Sequence, residues 1–169
     1  MVRSFIKRIG NNFFVAPWSF RRHFTPAVAE TLQSFVSEAE RKHNAELKIA
    51  VDENLSLGEL IWNVDPREKA HTVFSRLQVW DTECNNGVLL YILFSEHRIE
   101  IVTDRAVTKL KLHEAFRTIC SQLEKAFAAE QYVTGFKKAI DEISELLAKH
   151  FPPSADDSNE VADAVEFLK

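Results

Sequence analysis

Glycine is scarce in this chain, with four in 169 residues, and a glycine-rich loop that cradles phosphate is excluded. Neither His-Glu-x-x-His nor Gly-x-Ser-x-Gly occurs, which removes the common zinc-protease and serine-hydrolase signatures. The two cysteines, Cys84 and Cys120, form no Cys-x-x-Cys pair, so neither a disulfide framework nor a cysteine zinc site is expected. Leu90 stands six residues after Cys84, where a cysteine-phosphatase loop needs arginine. The six histidines are scattered without ligand spacing. No run approaches the roughly 20 apolar residues that span a bilayer.

What is present is a globular composition: 46% hydrophobic and 27% charged residues, with 13 Phe against one Met. That amount of apolar side chain supports one aromatic and aliphatic core in a single domain.

The net charge of −4 argues against nucleic acid as a partner, since such binders carry a basic excess. The charge is uneven. Arg3, Lys7, Arg8, Arg21 and Arg22 precede the first acidic residue, Glu30, and Asp156, Asp157 and Glu160 crowd the other end. Residues 1–24 read as a basic arm able to touch an anionic membrane surface, with Phe14, Trp18 and Phe20 at the interface. The same pattern also suits a solvated segment packed on its own domain. Charged and amide residues interrupt the N-terminal apolar residues, so no signal peptide is expected. With the unpaired cysteines this gives a cytoplasmic protein, with peripheral membrane contact as its membrane option.

Thr25-Pro26 starts a helix whose apolar stripe is Val28, Leu32, Phe35, Val36 and Ala39. Alternation over 46–52 predicts a first strand, and Asp65-Pro66 restarts a helix with Ala70, Val73, Phe74 and Leu77 buried. Val88–Phe94, apolar throughout, reads as a central strand, and Arg98–Asp104 as a strand nearer an edge. Two amphipathic helices follow, lined by Phe116, Ile119, Leu123 and Phe127, then by Tyr132, Phe136, Ile140, Ile143 and Leu147. Pro152-Pro153 is expected to end the fold. The organisation is an arm over 1–24, an α/β domain over 25–151 and an acidic tail over 152–169. The element order implies a mixed sheet with helices on both faces, its first two strands parallel and its last pair antiparallel.

This topology brings Glu46, the run Asp81-Thr82-Glu83-Cys84-Asn85-Asn86, and Asp104-Arg105 to one sheet end. A two-residue turn at Glu96-His97 would place Asp104 opposite Leu89. Carboxylates and amides at strand ends suit a hard cation or a phosphate group, although turn chemistry alone also favours Asn and Asp there. Asp81, Glu83, Asn86 and Asp104 are the candidate metal ligands, with Glu46, Thr82, Asn85 and Arg105 as further binding residues. Oxygen ligands without His or Cys favour Ca²⁺ or Mg²⁺ over zinc, and the Arg105 charge limits affinity. No organic cofactor is expected. The run is not an EF-hand: Asp81, Glu83 and Asn85 fit its alternation, but Asn86 replaces the turn glycine and Ile92 the bidentate Glu.

Ala70–Leu77, then Val79-Trp80-Asp81-Thr82-Glu83-Cys84-Asn85-Asn86-Gly87-Val88-Leu89-Leu90, the strand Arg98–Arg105 and the Tyr132-x-x-Gly135 step together resemble the TPM domain family. The likeness covers about 24–151 and is greatest to its short bacterial branch without signal peptide or membrane anchor. The resemblance implies an α/β/α sandwich around a small mixed sheet. It also implies links to calcium binding, acid phosphatase activity and upkeep of membrane complexes. Asp81, Glu83, Asn86 and Asp104 match the family's polar positions, whereas Thr103-Asp104-Arg105 stands where many members have glycine-rich turns. Three functions follow: a binding or scaffold module using the polar sheet end; a weak phosphomonoester hydrolase with Asp81 and Asp104 as candidate catalytic residues around a metal-activated water; and a membrane-peripheral interaction protein docking through its arm.

Overall fold

The helices begin where the chain supplies caps. The Thr25 side chain accepts from the Val28 N–H ahead of the helix α2 (Pro26–Glu40), following a shorter α1 (Ala16–His23). Ser56 and Glu59 close a reciprocal capping box on α3 (Leu57–Ile61), and Asp65 caps α4 (Pro66–Arg76) with Pro66 at its first turn. The strands are β1 (Leu47–Asp52), β2 (Val88–Leu93) and β3 (Arg98–Thr103). A short α5 (Arg105–Lys109), the long α6 (His113–Ala128) and α7 (Tyr132–Ala148), and β4 (Glu166–Leu168) complete the order. This computed structural model describes residues 8–10, 12, 16–153 and 160–168.

The four strands form one mixed sheet in the order β3-β2-β1-β4. β1 is parallel to β2 and to β4, and β2 is antiparallel to β3. Alternate side chains feed two cores. Leu47, Ile49, Val51, Leu90, Ile92, Ile99 and Ile101 pack under α1, α2, α6 and α7 on one face. Ala50, Leu89, Tyr91, Leu93 and Val102 pack under α3 and α4 on the other. The result is the α/β/α sandwich. A Cβ at Gly135 would lie 2.8 Å from the Ala126 Cβ, so glycine there lets α6 and α7 approach closely.

Three local expectations change. The β2–β3 connection is not a two-residue turn. Phe94–Glu96 makes a 3₁₀ turn and His97 adopts a left-handed conformation, φ 52°, so Leu93 pairs with Arg98. Core packing imposes this: the Phe94 ring lies edge-on to Phe20 and Phe24 at 5.6 and 5.4 Å, and the Ser95 N–H donates to the Glu53 carbonyl. Asp104 therefore falls opposite Gly87, not Leu89, with its N–H on the Gly87 carbonyl at 2.9 Å.

The fold also does not end at Pro152-Pro153. The C-terminal segment returns as β4 on the free edge of β1, held by the Lys48 ammonium. That side chain is 5% exposed and donates to the Ala162 and Ala164 carbonyls at 2.7 Å each.

Third, the described residues of the N-terminal segment are built into the domain. Phe20 is 6% exposed and belongs to the core, so it cannot serve as an interface anchor. Arg8 bonds Glu96 at 2.6 Å and the Val64 carbonyl at 2.9 Å. Asn12 is fully buried, accepting from the Leu55 N–H and the Ser95 hydroxyl at 2.7 Å each. Arg3, Lys7 and Phe14 lie outside the described residues.

Candidate functional site

The chain segments proposed to meet do so at the start of β1 and β2 and the end of β3. The Val88 N–H donates to the Glu46 carbonyl at 2.8 Å, and the Ala106 N–H to the Asn85 carbonyl at 3.0 Å. The loop folds on itself through Thr82, whose hydroxyl accepts the Asn86 N–H at 3.1 Å, while Asn85 takes a left-handed conformation, φ 52°. Gly87 is required by contact: a Cβ there would sit 1.8 Å from the Val79 carbonyl oxygen.

Within this frame Asn86 and Asp104 are the deep residues, 1% and 7% exposed. Asn86 spends its amide on the Asn44 carbonyl. Asp104 caps α5, one carboxylate oxygen accepting the Arg105 N–H at 2.6 Å. Their other oxygens, Asn86 Oδ1 and Asp104 Oδ2, are buried and have no hydrogen-bond partner among the described residues. Unpaired buried acceptors are rare and costly, of order 1–3 kcal/mol each.

The remaining candidates divide. Thr82 is buried and positions the loop, whereas Asp81, Glu83, Asn85 and Arg105 are exposed. Glu46 is buried, and its carboxylate accepts the Glu160 and Val161 N–H groups at 3.1 Å each. The Glu83 N–H in turn donates to the Glu160 carboxylate at 2.9 Å. The C-terminal segment thus lies along the rim of the polar end. Sequence reasoning missed Asn44 and Glu160: a backbone carbonyl has no sequence signature, and Glu160 reads as tail. Among the described residues no group of three or more His, Cys, Asp or Glu side chains is placed to hold a metal ion. A cation here would rely on amide and backbone oxygens and water beside its carboxylates, a mix calcium accepts.

At the opposite sheet end polar groups are also buried, but joined. The Tyr91 hydroxyl donates to Asp52 at 3.1 Å and Lys69 bridges Asp52 and Glu59. Burial raises the Asp52 carboxyl, against the lowering pull of Lys69. That network leaves no such pair of open acceptors and reads as structural.

The sequence model of the TPM domain matches residues 20–146, three quarters of the chain. The chain belongs to the TPM domain family. A solved structure, the NMR structure of BA42 protein from the psychrophilic bacterium Bizionia argentinensis, superposes with TM-score 0.74 at 20% identity, covering 85% of this chain and 94% of that one. At that identity the likeness is one of fold. No curated protein matches the chain. The TPM match stops before β4, so the strand on the β1 edge and its rim contacts lie outside the matched region. No helix among the described residues is long and apolar enough to cross a membrane.

Proposed function

We propose that this TPM domain is a binding module whose polar sheet end takes a hard divalent cation, Ca²⁺ or Mg²⁺, weakly. The observation that carries this reading is the pair of buried, unpaired oxygens, Asn86 Oδ1 and Asp104 Oδ2, on neighbouring ends of β2 and β3. An amide oxygen and a carboxylate oxygen are both good calcium ligands. Backbone oxygens and water would fill the rest of the shell, with the exposed loop carboxylates Asp81 and Glu83 adding negative charge nearby and Glu46, already accepting two N–H groups, holding the rim. The small carboxylate number and the neighbouring Arg105 charge place affinity near the weak end, about 0.1–1 mM.

The test is calorimetric titration with Ca²⁺, Mg²⁺, Mn²⁺ and Zn²⁺, followed by amide NMR. Asp104→Asn keeps the helix cap, since Asn caps as well as Asp, and should weaken binding about tenfold or more, equivalent to about 1.4 kcal/mol. Absence of heat with every ion, together with unmoved amides over 82–87 and 104–106, would sink the proposal. An aryl phosphate assayed in the same samples reads the hydrolase version: turnover lost in Asp81→Asn, an exposed position, supports an ion-activated water.

A second reading has its own observation. Trp18, Arg21 and Arg22 lie at i, i+3 and i+4 on α1, all exposed, with Trp18 at 86%. An aromatic flanked by two arginines on one helix face suits peripheral contact with an anionic lipid surface.

A further inference from the structure

The two edges of the sheet differ. β1 is closed by β4, whereas β3 has no strand beyond it among the described residues. The Gly87–Asp104 hydrogen bond sets the phase of the antiparallel ladder: Val102, Glu100 and Arg98 bond to β2, and Ile99, Ile101 and Thr103 turn their N–H and C=O groups outward. Only side chains meet these outward groups. Glu124 accepts the Ile99 N–H at 3.3 Å, the Cys120 sulfur meets the Ile101 N–H, Arg67 donates to the Ile101 carbonyl at 3.2 Å, and the Thr108 hydroxyl donates to the Thr103 carbonyl at 3.2 Å. These are long, displaceable contacts on an edge that is otherwise ready to pair.

The edge lies in a groove of about 680 Å³ between α4 on one side and α6 on the other. Its two walls differ in chemistry. Arg67 and His71 on α4 join Arg98 on the same sheet face as Glu100, whereas Phe116 and Cys120 belong to the α6 wall. Arg67, Arg98 and Arg117 outnumber Glu100 and Glu124 in the lining, on a chain whose net charge is −4. Arg67 and Arg98 are about half exposed and reach Glu100 at 2.9 and 3.5 Å, so their guanidiniums can turn toward an incoming carboxylate.

We infer that the β3 edge, between α4 and α6, is a docking site for an extended peptide that adds a fifth strand and carries acidic side chains at alternate positions. The alternation follows from the strand period of two: one set of peptide side chains faces the arginines of the α4 wall and the other faces Phe116 and Cys120, where small apolar residues fit. The outward groups of Ile99, Ile101 and Thr103 supply main-chain hydrogen bonds over about five residues of peptide, an ordinary strand length. This site is separate from the polar sheet end and does not rest on cation binding.

The probe is a capped, labelled peptide of about seven residues alternating aspartate and valine, read by fluorescence anisotropy and amide NMR on the full chain. It should bind, shift the Ile99, Ile101 and Thr103 amides, and weaken as salt rises. Arg67→Glu places an acidic residue in the first turn of α4, which the helix tolerates. Combined with Arg98→Glu, it should weaken binding about tenfold or more. The same peptide N-methylated at alternate amides keeps its charge but cannot pair, and should also lose about tenfold. No anisotropy change up to about 1 mM peptide, or equal binding of the N-methylated peptide, would overturn the inference.

Discussion

Glu40 sits at the end of α2, its Oε1 accepting the Leu47 N–H at 3.0 Å, with Asp163 from the C-terminal segment beside it. Burial pushes this carboxyl from 4.5 up to about 9, and the nearby Asp163 and Glu46 charges add to the rise against the lowering Leu47 bond. The native state therefore holds a proton that the unfolded chain releases near its ordinary value. Stability from this group is complete below about pH 4.5 and is lost progressively as pH rises toward 9. Glu40→Gln keeps an oxygen for Leu47 and cannot ionise. Thermal melts from pH 5 to 9 should show the wild-type Tm falling relative to the variant, with the gap widest at the alkaline end. Parallel curves would mean that Glu40 is ionised in the native protein. None of this was legible from sequence, because the burial of Glu40 is a product of tertiary packing and the Asp163 charge beside it comes from more than a hundred residues away.

At the scale of elements, periodicity reported the strands and long helices well, since each has one face or two faces committed to a core. It failed where a single contact overrides local pattern. Glu96-His97 looked like a two-residue turn until Phe94 was drawn into the Phe20–Phe24 cluster, shifting Asp104 by two positions along β2. The short α5 escaped notice because Asp104 reads equally as a ligand and as a helix cap. β4 was illegible for a sharper reason: its three residues pair only over Ala50–Asp52, too short for alternation to register. Its hold comes from Lys48, which reads as the polar side of a half-buried strand but is buried against backbone carbonyls. Charge-assisted bonds of this kind contribute about 1.5–3 kcal/mol each. Lys48→Met should therefore raise amide exchange at Leu168, and at Glu53, whose N–H donates to the Leu168 carbonyl, about tenfold or more while leaving β2 amides unchanged, because a terminal strand opens locally. Exchange unaffected at both positions would show that the Glu46 and Asp163 contacts alone hold the segment.

For the whole molecule, the question is how an acidic protein of net charge −4 approaches an anionic surface. The long-range field is repulsive, so any attraction must come from the face turned toward the lipid. On α1 that face is narrow: Phe20 points into the core, Arg8 is committed to Glu96 and Val64, and Trp18, Arg21 and Arg22 remain. Two arginines near the surface contribute about 1 kcal/mol each at low ionic strength, and an interfacial tryptophan adds burial of its ring. Binding to vesicles of about 30% anionic lipid should therefore be weak and confined to low salt, fading once the Debye length shortens to about 8 Å at 0.15 M. Removing residues 1–23 is the wrong test, since it also deletes Phe20 from the core. Trp18→Ser with Arg21→Ser and Arg22→Ser changes only exposed side chains and should abolish co-sedimentation while the melting temperature holds. If the triple variant sediments with vesicles as the wild type does, α1 is a structural helix with a solvated outer face, and the membrane reading fails.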